Sequence, residues 1–578
     1  LSRPQRSVQI PAVRIHDWPA QQWRGITDDL SRGQVSTLDD FKRLIRFLAR
    51  YKLNVYSPYM EDIFRFSRHP LIGRGRGALD PTEVRALDQY ARRYHVDVVP
   101  IFETLGHWEN ILTIPEYVQY AEFPGAHTVN VTDERVYDLL DEMIGELAAV
   151  FSSPYFNMAA DESWDVGRGA SRERVAASDL ATVHAEHYNR VIAILARHGK
   201  RPLMYGDIIL NHPAILEKIP KDVIIVDWQY WAGLRYPSTE VFHKAGFSFL
   251  VSPAVWNFTG PYPNYLNTFI NVRNFNDEGR RQGALGLLTS TWNDYGGEAL
   301  RELNLLGYAW TAECAWHPEP PDAADFGQRF YADFFGSPLA SQPAWTATLL
   351  LASPYNQYLW HELWRHPMLP PRESALHPLW RIESIRSSMP LVKNLLQHLR
   401  SQVTRNAAHL DYLDFIVGLN LWFAAKLEAI AAVRRLAADS SLDASARSAA
   451  GEKLVLPLIN GLEKLRVTFR GLWLRTNRPD NLDLLLERYN RQASYWRETL
   501  EALARGDTNL DPTLRSRWIY HPDAHPGTRD TAALHVKGAI FRRTLSLPAR
   551  PVDARVQLMG DTHAILPPDS AKEPTPSP

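Results

Sequence analysis

Cysteine is almost absent from this sequence, because Cys314 is the only one among 578 residues. A single thiol excludes a disulfide bond within the chain and makes a cysteine-based metal site a poor hypothesis. Cys314 lies between Trp310 and Trp316, an apolar setting that is typical of a buried and unreactive thiol. We therefore expect no catalytic role for it.

The sequence also lacks an excess of charge and a long apolar run. Lysine and arginine total 64 against 65 acidic residues, so the formal net charge is −1. No dense block of basic residues is present, which argues against a nucleic-acid partner. The longest apolar stretch, from Phe415 to Ala425, is interrupted by Gly418 and Asn420 and is too short to span a bilayer. We expect no membrane contact.

A secretion signal is missing too. The chain begins with Leu1 and shows no charged segment followed by an apolar one. We interpret the sequence as the mature or trimmed form of a bacterial protein that is secreted or periplasmic. No motif implies a metal ion or an organic cofactor, and a homodimer is left open as the quaternary structure.

Residues 1–320 alternate short apolar strands with amphipathic helices. Nearly continuous apolar runs such as Val223–Val226 fit parallel strands that are buried on both faces. Eight strands with helices in most of the gaps predict an α/β fold, a (β/α)8 TIM barrel. An open doubly wound sheet is the alternative, but no glycine-rich phosphate loop follows the first strand. The predicted strands are Trp23–Thr27, Asn54–Tyr59, Val96–Phe102, Tyr155–Ala160, Pro202–Asp207, Val223–Asp227, Phe247–Ser252 and Leu285–Ser290.

Three helices of this segment have clear starts. One follows Ser36-Thr37, with apolar residues at helical spacing behind it. The next opens with Asp80-Pro81, a capping residue followed by proline at the first helical position. A third opens at Thr132.

The pattern changes twice after the barrel. A proline-rich stretch at 318–321 marks the first boundary, and residues 321–512 are predicted to form a helical domain in which Leu410–Leu436 is the clearest helix. We expect this domain to be a packing module rather than part of an active site. Residues 513–578 contain two predicted strands, 538–545 and 554–558, that resemble the start of a jelly roll, followed by a disordered tail.

In a (β/α)8 barrel the chemistry lies where the strands end, at the C-terminal face. Carboxylates and tryptophans dominate those positions, and no Ser-His-Asp order, Walker loop or HExxH motif is present. Such a set suits a sugar, because acids can cut the acetal while indole rings stack on its apolar face. The candidate positions are Arg24, Glu61, Asp62, Glu103, His107, Asp161, Glu162, Asp207, Trp228, Trp256, Trp292 and Asp294.

The sharpest element is the pair Asp161-Glu162, which follows a predicted strand that ends in small residues. Two adjacent acids are costly to ionise together. One of them therefore tends to have a raised pKa and can serve as a general acid.

The barrel resembles glycoside hydrolase family 20, the β-N-acetylhexosaminidases, from about Ile10 to Pro318. The motifs that carry the resemblance occur in the family's order along the chain. They are Ile10–Pro19 with Trp23-Arg24-Gly25 as the lead-in, Glu103-Thr104-Leu105-Gly106-His107, the dyad Asp161-Glu162, Gly206-Asp207-Ile208-Ile209, and Ser290-Thr291-Trp292-Asn293-Asp294.

The sequence departs from the family pattern at three places. Most members have His-x-Gly-Gly before the dyad, whereas this chain has Asn157-Met158-Ala159-Ala160. The usual Trp-x-Glu of the last strand appears with Asp294 in place of the glutamate. A tyrosine normally contacts the acetamide, and near the seventh strand this chain offers Trp256 and, further on, Tyr262. These departures indicate an atypical branch.

The resemblance implies substrate-assisted catalysis without a covalent nucleophile from the protein. The 2-acetamido oxygen of the substrate attacks the anomeric carbon and forms an oxazolinium ion. Asp161 would orient the acetamide and stabilise its developing charge, and Glu162 would protonate the leaving oxygen and then deprotonate water. The implied reaction is the exo-acting, retaining removal of terminal β-linked N-acetylglucosamine or N-acetylgalactosamine from a glycan, and the sequence does not separate these two sugars.

The other roles follow from the same resemblance and from residue chemistry. Arg24 would bind two sugar hydroxyls, and His107 would tune the dyad. Trp228 and Trp292 would form walls of the pocket, with Asp294 in the place of a hydroxyl-binding glutamate. The remaining candidates for substrate contact are Glu103, Trp256 and Tyr262, while Glu61 and Asp207 are candidates for supporting acids.

Two alternatives stay open at this point. One is an ordinary retaining β-glycosidase, in which Glu103 is the nucleophile and Glu162 the acid and base. The other is a non-catalytic carbohydrate-binding protein on the same scaffold, which the altered residues before the dyad would allow.

Overall fold

The computed structural model describes residue 14 and residues 16–294, 296–369 and 377–512. The two strands and the tail predicted within 513–578 lie outside the described residues. The domain boundaries at 320 and 512 stay a prediction.

The first part of the chain forms a closed parallel barrel, which confirms the predicted (β/α)8 fold. It closes because β1 pairs in parallel with both β2 and β9. The third strand position is split into β3 and β4 at Val99-Pro100, where proline has no amide hydrogen to donate. The strands are β1 (Trp23–Asp29), β2 (Val55–Met60), β3 (Asp97–Val98), β4 (Ile101–Phe102), β5 (Tyr155–Asn157), β6 (Arg201–Tyr205), β7 (Ile224–Trp228), β8 (Ser248–Ser252) and β9 (Gly286–Thr289).

The helices around the barrel begin where capping residues allow them to. The side chain of Thr37 accepts the amide of Asp40 at the start of α1, and Asp80 forms a capping box with Glu83 at the start of α2. The third predicted start is confirmed to within two residues, with Asp133 as the cap of α4. These helices are α1 (Leu38–Arg50), α2 (Pro81–Arg92), α3 (Glu109–Leu112), α4 (Glu134–Ala148), α5 (Arg172–Ala176), α6 (Leu180–Arg197), α7 (Asp207–Asn211), α8 (Ser238–Lys244), α9 (Tyr265–Arg281) and α10 (Leu305–Trp316).

The interior of the barrel is a packed apolar column rather than a pore. Val55, Leu203 and Leu288 are buried members of this column, in keeping with branched residues that fill the centre of such barrels. Near its C-terminal end the column includes the aromatic side chains of Tyr59 and Trp292. These rings form the floor on which the candidate site is built.

The chain after the barrel is helical throughout its described residues, as the sequence predicts. The four long helices α14 to α17 pack in sequence, each against the next. The helices are α11 (Ala323–Phe334), α12 (Ser341–Ala352), α13 (Trp360–Trp364), α14 (Pro378–Gln402), α15 (His409–Ala438), α16 (Ala444–Thr476) and α17 (Leu482–Ala504).

The helix α15 is long and apolar enough to cross a membrane, judged by length and composition alone. It packs between α14 and α16, and 56% of its most apolar window is buried inside the protein. Its apolar character is therefore explained by its place in the helical core.

Gly25 is required by the closure of the barrel. A Cβ atom at this position would lie 2.7 Å from Val55 Cβ and 2.8 Å from the carbonyl oxygen of Val55. We predict that Gly25→Ala lowers the free energy of unfolding by about 1–3 kcal/mol, because a backbone atom cannot move aside cheaply. Gly471→Ala in α16, where nothing lies within 4 Å of the added atom, should instead raise it by up to about 1 kcal/mol. Equal unfolding midpoints in urea for the two variants would contradict this.

Candidate active site

The acid pair follows β5 on a strained stretch of backbone. Ala159, Ala160 and Glu162 have φ angles of 53°, 65° and 46°. This left-handed conformation costs a non-glycine residue roughly 1–3 kcal/mol, and such strain clusters at functional sites. Ala159 and Ala160 stand where the resembled family has two glycines, the residue that adopts this conformation without penalty.

The two acids lie in different surroundings. The side chain of Asp161 is 9% exposed and that of Glu162 is 43% exposed. Burial raises the pKa of Asp161 above its ordinary value, and the charge of Glu162 raises it further against the effect of His107. Partial burial would also raise the pKa of Glu162, but His107 and Arg32 outweigh it and lower that pKa. The raised pKa of the pair therefore belongs to Asp161.

His107 joins the two acids. Its Nε2 lies 3.4 Å from Glu162 Oε2 and 3.8 Å from Asp161 Oδ2. Burial lowers the pKa of the ring, but Glu162, Asp161 and Glu103 together raise it well above its ordinary value. The close approach of the backbone before His107 to that of Asp161 depends on Gly106, because a Cβ atom there would lie 2.4 Å from the carbonyl oxygen of Asp161.

The arginine beside the acids is Arg32, which the sequence analysis did not single out. Its Nη2 lies 3.2 Å from Glu61 Oε1 and 3.4 Å from His107 Nδ1. The guanidinium group also lies over the rings of Tyr59 and Trp292, 5.1 and 5.5 Å from their centres. Arg32 is three residues beyond the end of β1, so it reaches over the C-terminal face.

Arg24 does not reach this site. Its Nε donates to the carbonyl oxygen of Lys52 at 2.9 Å, and its Nη1 donates to those of Gln21 and Gln22 at 2.9 and 3.0 Å. These partners lie at or before the start of β1 and β2, at the N-terminal end of the barrel. Because Arg24 is the second residue of β1, its side chain belongs to the opposite end from the acids.

Further carboxyl groups surround the pair, and burial raises the pKa of each. Asp207 accepts the backbone amide of Glu162 at 2.9 Å, and its pKa is raised to about 8, first by burial and then by Asp161. Burial raises the pKa of Glu61 to about 8 and that of Asp294 to about 7. Burial and the charge of Asp161 raise the pKa of Glu103 well above its usual range. The structure therefore brings these four predicted positions together around the dyad.

Aromatic side chains line the same face. Trp292 meets Tyr59 edge to face at 4.8 Å, and Trp228 stacks on Tyr230 at 5.1 Å. The indole N–H of Trp228 is buried and has no hydrogen-bond partner within the part of the chain that the structure describes. Such a donor can serve a ligand.

Tyr230 is a tyrosine of this site that the sequence analysis did not single out. Burial raises its pKa, and Asp161 and Glu162 both add to that shift, which places the phenol within their electrostatic reach. Tyr262 instead packs on Tyr265 and, with Tyr331, lines a small cavity against α11. The sequence signal for Tyr230 was its place two residues after the end of β7.

Trp256 is separated from Tyr230 by the ring of Phe258. Its ring is 4.8 Å from that of Phe258, which in turn is 5.8 Å from that of Tyr230. The indole N–H of Trp256 donates to Thr259 at 2.8 Å. Trp256 therefore supports the aromatic wall from behind.

Among the residues that the structure describes, two groups of side chains could geometrically hold a metal ion. The ligand atoms of His107, Glu109 and His127 lie within 4.8 Å of one another, and so do those of Glu103, His107 and Asp161. Both groups share His107, whose ring already faces Arg32 on one side and two carboxylates on the other. A dication there would meet the guanidinium charge directly, which disfavours it.

Part of the chain is similar in sequence to known glycoside hydrolases. Residues 21–275 match the family model "Glycosyl hydrolase family 20, catalytic domain". The chain is 27% identical over 206 residues to hexosaminidase D of Bos taurus, which covers 33% of this chain and 59% of that protein. It is 31% identical over 172 residues to a chitooligosaccharidolytic β-N-acetylglucosaminidase of Bombyx mori, which covers 26% of this chain and 28% of that protein. The chain thus spans less than two thirds of the length of these curated relatives.

A solved structure is similar over a longer part of the chain. The chitobiase of Flavobacterium johnsoniae covers 85% of this chain and 73% of its own, with a TM-score of 0.47 and 18% sequence identity.

Asp207 should make the stability of the protein fall as the pH rises. Because its folded pKa is about 8 and the ordinary pKa of an aspartate is 3.8, the folded protein holds a proton between these pH values that the unfolded chain has released. We predict that the unfolding midpoint of Asp207→Asn falls less than that of the wild type from pH 5 to pH 8. The difference in the free energy of unfolding between the two proteins should grow by up to about 1.4 kcal/mol per pH unit. The exposed control Asp222→Asn should follow the wild type. Parallel curves for all three proteins would show that Asp207 is not protonated in the folded state.

Proposed function

We propose that this chain, whose residues 21–275 belong to glycosyl hydrolase family 20, is an exo-acting, retaining β-N-acetylhexosaminidase. Its substrates would be glycans with terminal β-linked N-acetylglucosamine or N-acetylgalactosamine. The observation that carries the proposal is the pair Asp161-Glu162 at the end of β5, in which one carboxyl group is buried and its neighbour is open to solvent. Two acids in unequal surroundings can take two different catalytic roles.

Asp161 would act on the acetamide group of the substrate. It is the buried member of the pair and lies within the electrostatic reach of Tyr230. As the acetamide oxygen attacks the anomeric carbon, positive charge develops on the oxazolinium ring. That charge favours the ionised form of Asp161 and so opposes the burial that raises the pKa of this carboxyl group.

Glu162 would act on the leaving group. It is the exposed member of the pair, so it faces the side from which an aglycone must depart. In the free protein His107 and Arg32 lower its pKa. A bound sugar would displace water from its side chain, which raises the pKa again and supplies the proton for the leaving oxygen.

The remaining contacts follow from the side chains around the pair. We assign to Arg32, rather than to Arg24, the binding of sugar hydroxyls, together with Asp294. The stacked pair Trp228 and Tyr230 would enclose the acetamide, with the phenol of Tyr230 near its oxygen. The indole ring of Trp292 would then stack against the apolar face of the sugar ring.

The ordinary retaining mechanism with Glu103 as nucleophile is the less favoured alternative. Glu103 is fully buried, and burial and Asp161 raise its pKa well above its usual range. A raised pKa disfavours the carboxylate form, which is the form that attacks as a nucleophile. Substrate assistance requires no such group.

We predict hydrolysis of nitrophenyl β-N-acetylglucosaminide or β-N-acetylgalactosaminide, and none of the matched glucoside and galactoside. Asp161→Asn should lower kcat by about 10²–10³-fold on the acetamido sugars, because charge stabilisation of the transition state is lost. Glu162→Gln should cost less on a nitrophenyl glycoside than on N,N′-diacetylchitobiose, since nitrophenolate departs without a proton. Initial rates for the wild type and the two variants measure this.

The exposed variant Asp222→Asn is the control and should retain full activity. Turnover of plain glucoside that survives Asp161→Asn would instead identify Glu103 as the nucleophile. Inactivity of the wild type on all four nitrophenyl glycosides and on diacetylchitobiose would contradict the proposal and favour a binding protein.

A further inference from the structure

The loop after β9, described at residues 292–294 and 296–299, carries two side chains of the candidate site, Trp292 and Asp294. Its first half is held by the barrel. The amide of Trp292 donates to Asn257 Oδ1 at 3.2 Å, and the amide of Asn293 donates to Asp29 Oδ2 at 2.8 Å. Near its far end, the carbonyl oxygens of Gly297 and Ala299 accept from Gln34 Nε2 at 3.0 Å each. The side chain of Glu298, between them, has its partners in the helices that follow the barrel.

Glu298 is bound by the helices that follow the barrel. Arg488 of α17 donates from Nη1 to Glu298 Oε2 at 2.6 Å, and Trp364 of α13 donates from Nε1 to the same oxygen at 2.7 Å. The side chains of Arg488 and Glu298 are only 2% and 1% exposed. A buried ion pair therefore joins the helical region to the loop that carries Trp292 and Asp294.

This ion pair is poorly suited to a purely stabilising role. Within the described residues, Arg488 Nε and Nη2 and Glu298 Oε1 have no hydrogen-bond partner. Burying two charges costs several kcal/mol per ion, and the attraction between them repays that cost only when the remaining donors and acceptors are satisfied. What the pair does supply is direction, because the charge-assisted bond from Arg488, together with the bond from Trp364, orients the side chain of Glu298.

A second contact from the same region reaches the other side of the site. In the turn between α16 and α17, the amide of Arg478 donates to the carbonyl oxygen of Val35 at 2.9 Å. Asn481 Nδ2 donates to the carbonyl oxygen of Gly33 at 3.2 Å. Gly33 directly follows Arg32, the arginine of the site. The helical region thus contacts both the loop after β1, which carries Arg32, and the loop after β9, which carries Trp292.

We propose that the helical region positions the substrate site, and that Arg488 is a positioning residue which acts on Trp292 and Asp294 through Glu298. This inference rests on the proposed function. It makes sugar binding depend on a residue of α17 that lies 190 positions along the chain from Glu298. Misplacement of a contact by about 1 Å can cost a factor of 10² in rate. Loss of the ion pair should therefore weaken sugar binding even when the protein stays folded.

We predict that Arg488→Met raises KM for nitrophenyl β-N-acetylglucosaminide about 10-fold, with a smaller fall in kcat. It should also weaken binding of free N-acetylglucosamine by a similar factor in calorimetry. Both are measured at a temperature well below the unfolding midpoint. Arg447→Met is the matched control: Arg447 is a buried arginine of α16 that donates to the carbonyl oxygen of Asp439, within the helical region. It should lower the midpoint and leave KM within a factor of two.

The double variant Arg488→Met with Glu298→Gln separates position from stability. It leaves no unpaired buried charge and retains an acceptor for Trp364, so its midpoint should recover toward that of the wild type. Its KM should stay high, because the directional bond to α17 is gone. A KM that recovers together with the midpoint, or an unchanged KM in Arg488→Met, would overturn the positioning role while the wild type still hydrolyses its substrate. A wild type that hydrolyses no acetamido sugar would overturn the proposed function and this inference together.

Discussion

The candidate site depends on how a cluster of buried carboxyl groups is balanced by two cations. The acids are the buried Asp29, Glu61, Glu103 and Asp161 and the partly buried Asp207 and Asp294, and the cations that face them are Arg32 and His107. Burial disfavours the charged carboxylate and raises the pKa of Glu61, Glu103, Asp161, Asp207 and Asp294. His107 and Arg32 lower the pKa of Glu162 and leave a high pKa to Asp161. This division gives the two adjacent acids different pKa values, as the proposed function requires.

Backbone strain fixes the same arrangement in space. The left-handed residues at Ala159, Ala160 and Glu162 turn the chain sharply after β5. Asp207 holds the amide of Glu162 from the next strand, and Gly106 lets the chain from β4 pass against Asp161. Strain of this kind persists only where the surroundings over-determine the conformation. Here three successive strand positions of the barrel do so.

Much of this could be predicted from the sequence, because periodicity and strand ends are local signals. The eight strands, the helix caps at Thr37 and Asp80, and the adjacency of Asp161 to Glu162 needed no knowledge of distant contacts. Arg32 was missed because β1 continues two residues past its predicted end, so the loop that carries Arg32 begins only after Asp29. Arg24 is the second residue of the predicted strand as well as of β1, and its assignment to sugar binding came from the family resemblance. Tyr230 was missed because it lies two residues beyond the end of β7, whereas the predicted strand ended at Asp227 and made Trp228 the candidate.

The contact between the helices and the loop after β9 could not be predicted. The ion pair between Glu298 and Arg488 joins residues 190 positions apart, and neither residue lies in a motif. The sequence therefore favoured a packing module, whereas the contacts place α17 behind a loop of the site. Long-range pairing of this kind leaves no periodic trace in either segment.

The central claim is that the acetamide oxygen of the substrate, and not a carboxylate of the protein, attacks the anomeric carbon. The most direct test is kcat/KM for nitrophenyl glycosides of glucosamine that carry acetyl, fluoroacetyl, difluoroacetyl and trifluoroacetyl groups on nitrogen. Each fluorine withdraws electrons from the carbonyl oxygen and weakens it as a nucleophile. Substrate assistance predicts a steep and regular fall in log kcat/KM along the series. A rate that does not depend on the number of fluorine atoms would contradict it and point to a nucleophile from the protein.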